Sequence, residues 1–235
     1  MDKGTLLVVG AGGDVGRGIV TAALQSGHRV VAAGRDAVRL AGLRSLAGLD
    51  RLALVQGDLA SEAGALELWD RASAAFGEVT DAVISVNAPD AMRPLLARSA
   101  EDIAQGLADN VVTHFTAAKA FLPRLPEAGL LIGIGGGTAD FIFPRMAPVS
   151  MGQAALRMLY RGLAKEAKTG AQPRELIIVS MVAGASNRDT AQPDWVTDLE
   201  VGTHVCAILD APDKFAKPVL HLRSKAQVGL PEEGA

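Results

Sequence analysis

A run of apolar residues, Leu6-Leu7-Val8-Val9, leads directly into Gly10-Ala11-Gly12-Gly13-Asp14-Val15-Gly16-Arg17-Gly18. Glycines between a strand and a helix let the backbone turn tightly and approach a pyrophosphate, whose charge the free N–H groups and the helix dipole favour. Gly12, Gly16 and Gly18 have that spacing, and the candidate contacts are Gly10, Gly12, Gly13, Asp14, Val15, Gly16 and Arg17. The alternative is a glycine-rich turn with no ligand. Arg17 either reaches a phosphate or the pocket, or is a solvated residue at a helix start.

A second signal follows at Val30-Val31-Ala32-Ala33-Gly34-Arg35-Asp36. An acid at this strand end accepts the ribose 2′-hydroxyl of NAD, whereas a 2′-phosphate needs room and a cation. Gly34 supplies the room and Arg35 the cation, so NADP(H) is expected in preference to NAD(H). Asp36 reads as the N-cap of the next helix rather than as a ribose ligand.

The elements that must position these residues alternate along the chain. Short, mostly apolar runs at 5–9, 29–33, 52–55, 81–86, 129–134, 175–181 and 218–222 are the expected strands. Amphipathic stretches near 15–26, 36–47, 61–76, 99–124, 149–169 and 197–209 are the expected helices. Strands that are apolar throughout are buried on both faces, which predicts a mainly parallel, doubly wound sheet with helices on both sides. The last dozen residues, with Gly229, Pro231 and Gly234, read as a loose tail from about 223 onward.

Composition narrows the partners. A chain of 235 residues buries roughly 70% of its unfolded surface as one α/β unit, and no linker divides it. The net charge of −3, with acids and bases interspersed, argues against nucleic acid and anionic membranes. No stretch approaches the ~20 apolar residues of a membrane helix, and the start, Met1-Asp2-Lys3, lacks the pattern of a leader peptide. A lone Cys206 forms no internal disulfide or metal cluster, which suits a reducing cytoplasm. A cytoplasmic, metal-free, single-domain protein is the expectation.

Along its whole length the sequence resembles the short-chain dehydrogenase/reductase family, whose fold is a single-domain Rossmann fold with a seven-stranded sheet. The glycine loop matches the family's Thr-Gly-x-x-x-Gly-x-Gly with Ala11 for Thr, and Gly34-Arg35 is similar to the NADP-preferring members. In Gln56-Gly57-Asp58-Leu59 the resemblance implies that Asp58 contacts the adenine amino group beside Leu59; a helix-start cap is the other reading. Ser85-Val86-Asn87-Ala88-Pro89 stands where the family has Asn-Asn-Ala-Gly, with Asn87 and Ala88 at the nicotinamide ribose. Gly184 ends Ser180-Met181-Val182-Ala183-Gly184, the counterpart of the family's Pro-Gly segment, before a variable stretch that in the family is a lid. Trp195, in that stretch, either contacts substrate or closes over the core.

The same resemblance locates a departure. In the family a Ser, a Tyr and a Lys four residues after the Tyr handle the proton during hydride transfer. The positions here read Gly136, Val149 and Gln153, and the distance from Gly136 to Val149 is the family's own spacing. Gly and Val have no proton to give; Gln153 retains the ability to bond the ribose hydroxyls. Asn110 is the one catalytic-type residue retained, with a polar bond in a mid-helix kink as the alternative. Substitutes are sought in the following loop and helix start, where Thr138, Asp140, Arg145 and Ser150 are polar and Phe141, Phe143 and Met146 form an apolar wall. Asp140 with Arg145 reads equally as an ion pair. His114 is a proton shuttle or a packed histidine, and Tyr160 with Lys165 reads as packing and surface.

The expectation is therefore an NADP(H)-binding member with atypical chemistry on a small-molecule substrate. A non-catalytic subunit paired with an active relative, or an NADP(H)-sensing regulator, are the alternatives. The family's habit of assembly implies a homodimer or homotetramer through the two long helices, with Leu156, Leu159 and Leu163 either at that face or against the sheet.

Overall fold

The computed structural model describes residues 3–48, 50–88, 90–167 and 170–232. Pro89, the last two residues of the helix expected to reach 169, and the final three of the expected tail lie outside the described residues. Seven parallel strands form one sheet: β1 (Thr5–Val9), β2 (Arg29–Gly34), β3 (Leu52–Gln56), β4 (Asp81–Ile84), β5 (Leu130–Gly136), β6 (Gln172–Ile178) and β9 (Val219–Leu222). Their order is β3-β2-β1-β4-β5-β6-β9, and a two-stranded pair, β7 (Val182–Ala183) with β8 (Val196–Thr197), stands apart. Chain direction across the sheet reverses between β1 and β4, so the carboxyl ends of those strands open a crevice, the usual place for a ligand in such sheets.

Helices cover both faces because the strands are apolar on both. On one side α1 (Asp14–Gln25), α2 (Ala37–Ala41) and α7 (Asp198–Asp210) pack on Leu6, Val8, Val30 and Ala32. On the other, α3 (Glu62–Phe76) and α5 (Thr113–Phe121) pack on Leu7, Val9 and Val31. The helix α6 (Ala147–Glu166) lies against β5 and β6, with Leu156 buried and Leu163 on the second layer. Leu156 thus faces the sheet rather than a partner. Each large aliphatic residue fully buried in these layers contributes roughly 1.5–3 kcal/mol of transfer free energy.

Several boundaries differ from the expected ones. The β6 strand begins at Gln172, ahead of the expected 175, because Pro173 hides the start of a strand that pairs in register from Leu130↔Gln172 to Gly136↔Ile178. The expected helix 36–47 closes early: Asp36 caps it by accepting from the N–H groups of Val38 and Arg39, and Gly42 ends it. The expected helix 99–124 is interrupted. α4 (Ala100–Leu107) passes through a π turn over Ala108–Val112 into α5. Gly18 works in helix packing: a Cβ there would collide with the Asp198 carbonyl of α7.

Residues 223–232, expected as a loose tail, are tied to the body. His221 Nδ1 meets Glu232 at 2.9 Å, the Gly229 N–H donates to His204 Nδ1, and Lys225 Nζ donates to the Pro193 carbonyl. Among the described residues no helix is long and apolar enough to cross a membrane.

Candidate functional site

The crevice at the carboxyl ends of β1, β2 and β4 holds a cavity of about 330 Å³. Gly10, Gly12, Gly13, Arg35, Asp58, Leu59, Asn87 and Ala88 line it together, joined on the far wall by Gln105, Asp109 and Val112. Gly10 turns the chain out of β1 at φ +85°, and a side chain there would strike the Ser85 carbonyl. Gly16 lies under the turn, where a Cβ would strike the Gly10 carbonyl. The glycines are thus required by backbone approach, leaving the N-terminus of α1 open toward the cavity.

Four of the expected cradle residues lie outside that lining, and two of these are engaged elsewhere. Asp14 turns away to the Gly184–Asn187 segment, where its carboxylate accepts from the Ser186 backbone N–H at 3.3 Å and from the Ser186 hydroxyl. Gly184 has no Cβ because Asp14 occupies that space. Arg17 reaches sideways to the Gly42 carbonyl at 3.4 Å. That bond is exposed, which agrees with the reading of Arg17 as a solvated helix-start residue. Val15 packs partly buried against the core.

The rim carries two cations. Arg35 is exposed at the end of β2, and Arg39 one turn into α2 stands over Gly12, whose added Cβ would come within 2.9 Å of Arg39 Cβ. Arg39 escaped the sequence reading. A second arginine in the first turn of the helix that follows Gly34-Arg35 was the available signal. Asp36 is taken by its cap and lies 3.4 Å from Arg39 Nε. Asp58 accepts from the Ala60 N–H, and the cap of α3 is Ser61, so Asp58 is left as a cavity residue.

On the proton-handling side, Gln153 bridges two strand ends. Its Oε1 accepts from the Gly136 N–H at 2.6 Å and its Nε2 faces Asn87 Oδ1 at 3.4 Å. Asn110 sits in the π turn, donating to the Gly106 carbonyl and accepting from the Ala88 N–H, both at 2.8 Å. That side-chain bond back to residue i−4 competes with the helix ladder and accounts for the local widening. Gln153 and Asn110 together hold the 87–88 loop. Val149 faces a second cavity of about 170 Å³, shared with Asn110, Asp90 and the buried Arg98.

Two of the candidate substitutes, Ser150 and Asp140, are occupied. Ser150 is buried and donates to the Phe141 carbonyl at 3.0 Å. Asp140 pairs with Arg157, not with the expected Arg145, and hydrogen bonding from Arg157 holds its carboxyl below the ordinary carboxylate range. Arg145 adopts φ +68°, and its carbonyl accepts from the Arg93 N–H and from Arg98. Thr138 stands beside Gly136, its Oγ1 3.8 Å from where a Cβ would be. Phe141 and Phe143 meet edge to face at 5.3 Å and remain about half exposed.

Beneath this side lies a buried polar set. His114 Nε2 faces the Val86 carbonyl at 3.1 Å, so Nε2 carries the hydrogen and Nδ1 accepts from the Tyr160 hydroxyl at 3.2 Å. Burial lowers the His114 pKa to about 4, which makes it a packed neutral histidine. Burial, with Glu175 nearby, pushes the Tyr160 hydroxyl far up. Glu175 was not foreseen: it is fully buried in β6, and neither carboxyl oxygen has a partner among the described residues. Burial raises its pKa to about 8, against the attraction of Arg157 and with the repulsion of Asp140. A charged residue at the head of the apolar run expected as a strand over 175–181 was the only sequence signal.

The topology and the crevice at its switch point define the Rossmann class. Within it, a family profile described as short chain dehydrogenase matches residues 4–192, and the chain belongs to that family. A short-chain dehydrogenase/reductase from Serratia marcescens, solved as a double mutant, is 19% identical, with a TM-score of 0.81 over 93% of this chain and 96% of that one. An alcohol dehydrogenase from Thermococcus sibiricus, complexed with 5-hydroxy-NADP, is 19% identical with a TM-score of 0.79 over 100% of both chains. A Burkholderia phymatum member in complex with NAD is 20% identical with a TM-score of 0.75, over 89% of this chain and 86% of that one. No curated protein matches the chain.

Proposed function

We propose that this chain binds NADP(H) in the crevice and is an oxidoreductase by descent whose chemistry proceeds without a side-chain general acid. The observation that carries the cofactor reading is the rim, where Arg35 and Arg39 flank an open Gly34; the neighbouring Asp36 lends one oxygen to the cap of α2 and the other to Arg39 Nε at 3.4 Å, which leaves Arg35 unopposed by it. Two guanidinium groups suit a 2′-phosphate, and the glycine backbone at the α1 N-terminus suits a pyrophosphate. Asp14 is directed at Ser186 and does not line the cavity, so it does not oppose a bound anion. Bound NADPH supplies a hydride. Asp58 at the adenine end and Asn87 at the ribose end, the latter braced by Gln153, are the side chains that would hold and orient it.

The proton side sets the reaction class. Ser150, Asp140, Asn110 and Gln153 are all engaged within the protein, and His114 and Tyr160 lie buried. A substrate that accepts hydride without simultaneous protonation, such as an activated double bond, fits this chain better than a simple ketone. The same engagement favours, as a second reading, a protein that binds NADP(H) without turning it over, as a regulator or as the partner of an active relative. Titration with NADPH and NADH, followed by turnover on an enone and on a simple ketone, separates these readings. NADPH binding with enone turnover supports the first, binding without turnover the second, and failure to bind either nucleotide overturns both.

A further inference from the structure

The β5 strand carries two glycines, Gly133 and Gly135, on the face covered by α6. Side chains there would collide with the Tyr160 ring and with Glu175 Oε1, respectively. The strand thus has a hollow on that face, filled by Tyr160 and Glu175. The same missing Cβ of Gly135 would lie 3.4 Å from Gln153 Oε1, so the Glu175 carboxyl and the Gln153 amide oxygen border one point in space.

The orientation of Gln153 is fixed by its partners. Its oxygen must face the Gly136 N–H, since a flipped amide would set two donors against each other. That leaves one lone pair on Oε1 and an unpartnered carboxyl beside it. A carboxylate there would set oxygen against oxygen, while a carboxylic acid has a hydrogen to give.

We propose that Glu175 is a positioning residue for the cofactor site: its carboxyl, in the protonated form, donates to Gln153 Oε1 and holds the side chain that ties Asn87 to Gly136. The positioning role rests on the reading of the crevice as an NADP(H) site; the hydrogen bond itself does not.

The surroundings favour the acid form. From α6, Tyr160 is neutral and Arg157 is bound to Asp140; from α5, His114 is neutral; from the turn after β5, Asp140 repels a second negative charge. On the neighbouring strand ends, His221 and Arg223 act on Asp140. Within β6 itself, the neighbouring Arg174 is influenced by Asp213. Ionising Glu175 removes the donor, frees the Gln153 amide and loosens Asn87 at the ribose end. Cofactor affinity is then constant at low pH and falls as Glu175 loses its proton.

The test has two readouts. Infrared spectra near neutral pH are expected to show a protonated-carboxyl C=O band that vanishes in Glu175→Gln and moves to higher frequency in Gln153→Ala. NADPH titrations from about pH 6 to about pH 9.5 are expected to show at least about a fivefold loss of affinity in the unmodified protein and a flat profile in Glu175→Gln, whose amide donates at every pH. Glu175→Leu, which has no donor, is expected to bind weakly throughout. Absence of the carboxyl band, a band unmoved by Gln153→Ala, or the same pH profile with Glu and Gln overturns the proposal. If NADPH binds at no pH, the cofactor reading fails, and the infrared comparison still decides whether the bond exists.

Discussion

The side-chain oxygen of Gln153 accepts a hydrogen bond from the backbone nitrogen of Gly136 at 2.6 Å. These are two of the three positions at which proton chemistry was sought, and they bond each other. A side chain that could have faced a substrate instead braces the end of β5, and through Asn87 it also braces the loop after β4. The departures at 136 and 153 are therefore mutually supporting: a glycine whose N–H is satisfied by the amide, and an amide aligned by that N–H.

At the other end of the crevice, the cation pair makes a direct prediction. NADPH should bind at least several-fold more tightly than NADH, and Arg35→Ala should remove most of that preference. Arg39→Ala should remove part of it, because Arg39 stands on the same rim over Gly12. Each charge-assisted bond to a phosphate is worth about 1.5–3 kcal/mol, roughly a 10- to 100-fold change. Calorimetric titration with both nucleotides checks it, and equal affinities in the unmodified protein would refute the assignment.

The stability of the fold should depend on pH through Glu175. An unfolded Glu loses its proton near 4.5, whereas the folded chain keeps this one until about 8. Across that window the folded state binds the extra proton, so stability falls with rising pH, by up to about 1.4 kcal/mol per unit. Above the folded value the slope ends. Urea unfolding of the unmodified protein and of Glu175→Gln over this range should show the variant gaining relative stability as pH rises; parallel curves would contradict the assignment.

How much of this was legible in the sequence differs by the range of the interactions. The glycine loop and the Asp36 cap were readable because backbone approach and capping impose residue types within a few positions of one another. A polar mid-helix bond at Asn110 was readable as one alternative, since its partner Gly106 lies one turn back, but its second partner, the Ala88 N–H 22 residues away in the chain, was not. The pairing of Asp140 with Arg157 rather than Arg145 was hidden for the same reason. Arg145 is adjacent along the loop but turns through φ +68°, while Arg157 comes back from α6. The hollow around Glu175 needs glycines on one strand and an acid on the next, a juxtaposition that only strand register supplies. A glycine-rich strand end, Gly133 to Gly137, looked like lost chemistry and proves in part to be room for buried side chains.

That hollow yields a packing prediction. Gly133→Ala should destabilise the protein by about 1–3 kcal/mol or more, because the new methyl group collides with the ring of fully buried Tyr160. Tyr160→Leu in the same background should recover part of the loss, by vacating the ring. Thermal unfolding of the single and double variants measures the coupling. Additive effects would mean that the two residues do not share the space.

Restoring the absent chemistry is the most demanding case. Val149→Tyr with Gln153→Lys supplies an acid and a cation, yet this pair should give little reduction of a simple ketone. Gly136 still lacks a hydroxyl, and Glu175, which borders the Gln153 side chain, would take the new lysine into a buried ion pair instead of leaving its charge for the tyrosine. Adding Gly136→Ser is sterically allowed, since a Cβ there meets nothing nearer than 3.6 Å, and Glu175→Gln frees the lysine. Steady-state turnover with NADPH and a simple ketone should therefore rise in steps. It should stay near background for the double variant, and the full set should regain part of the 10²–10⁴-fold that a positioned general acid typically provides. Strong ketone reduction by the double variant alone would show that Glu175 does not capture the lysine and that the missing hydroxyl is dispensable.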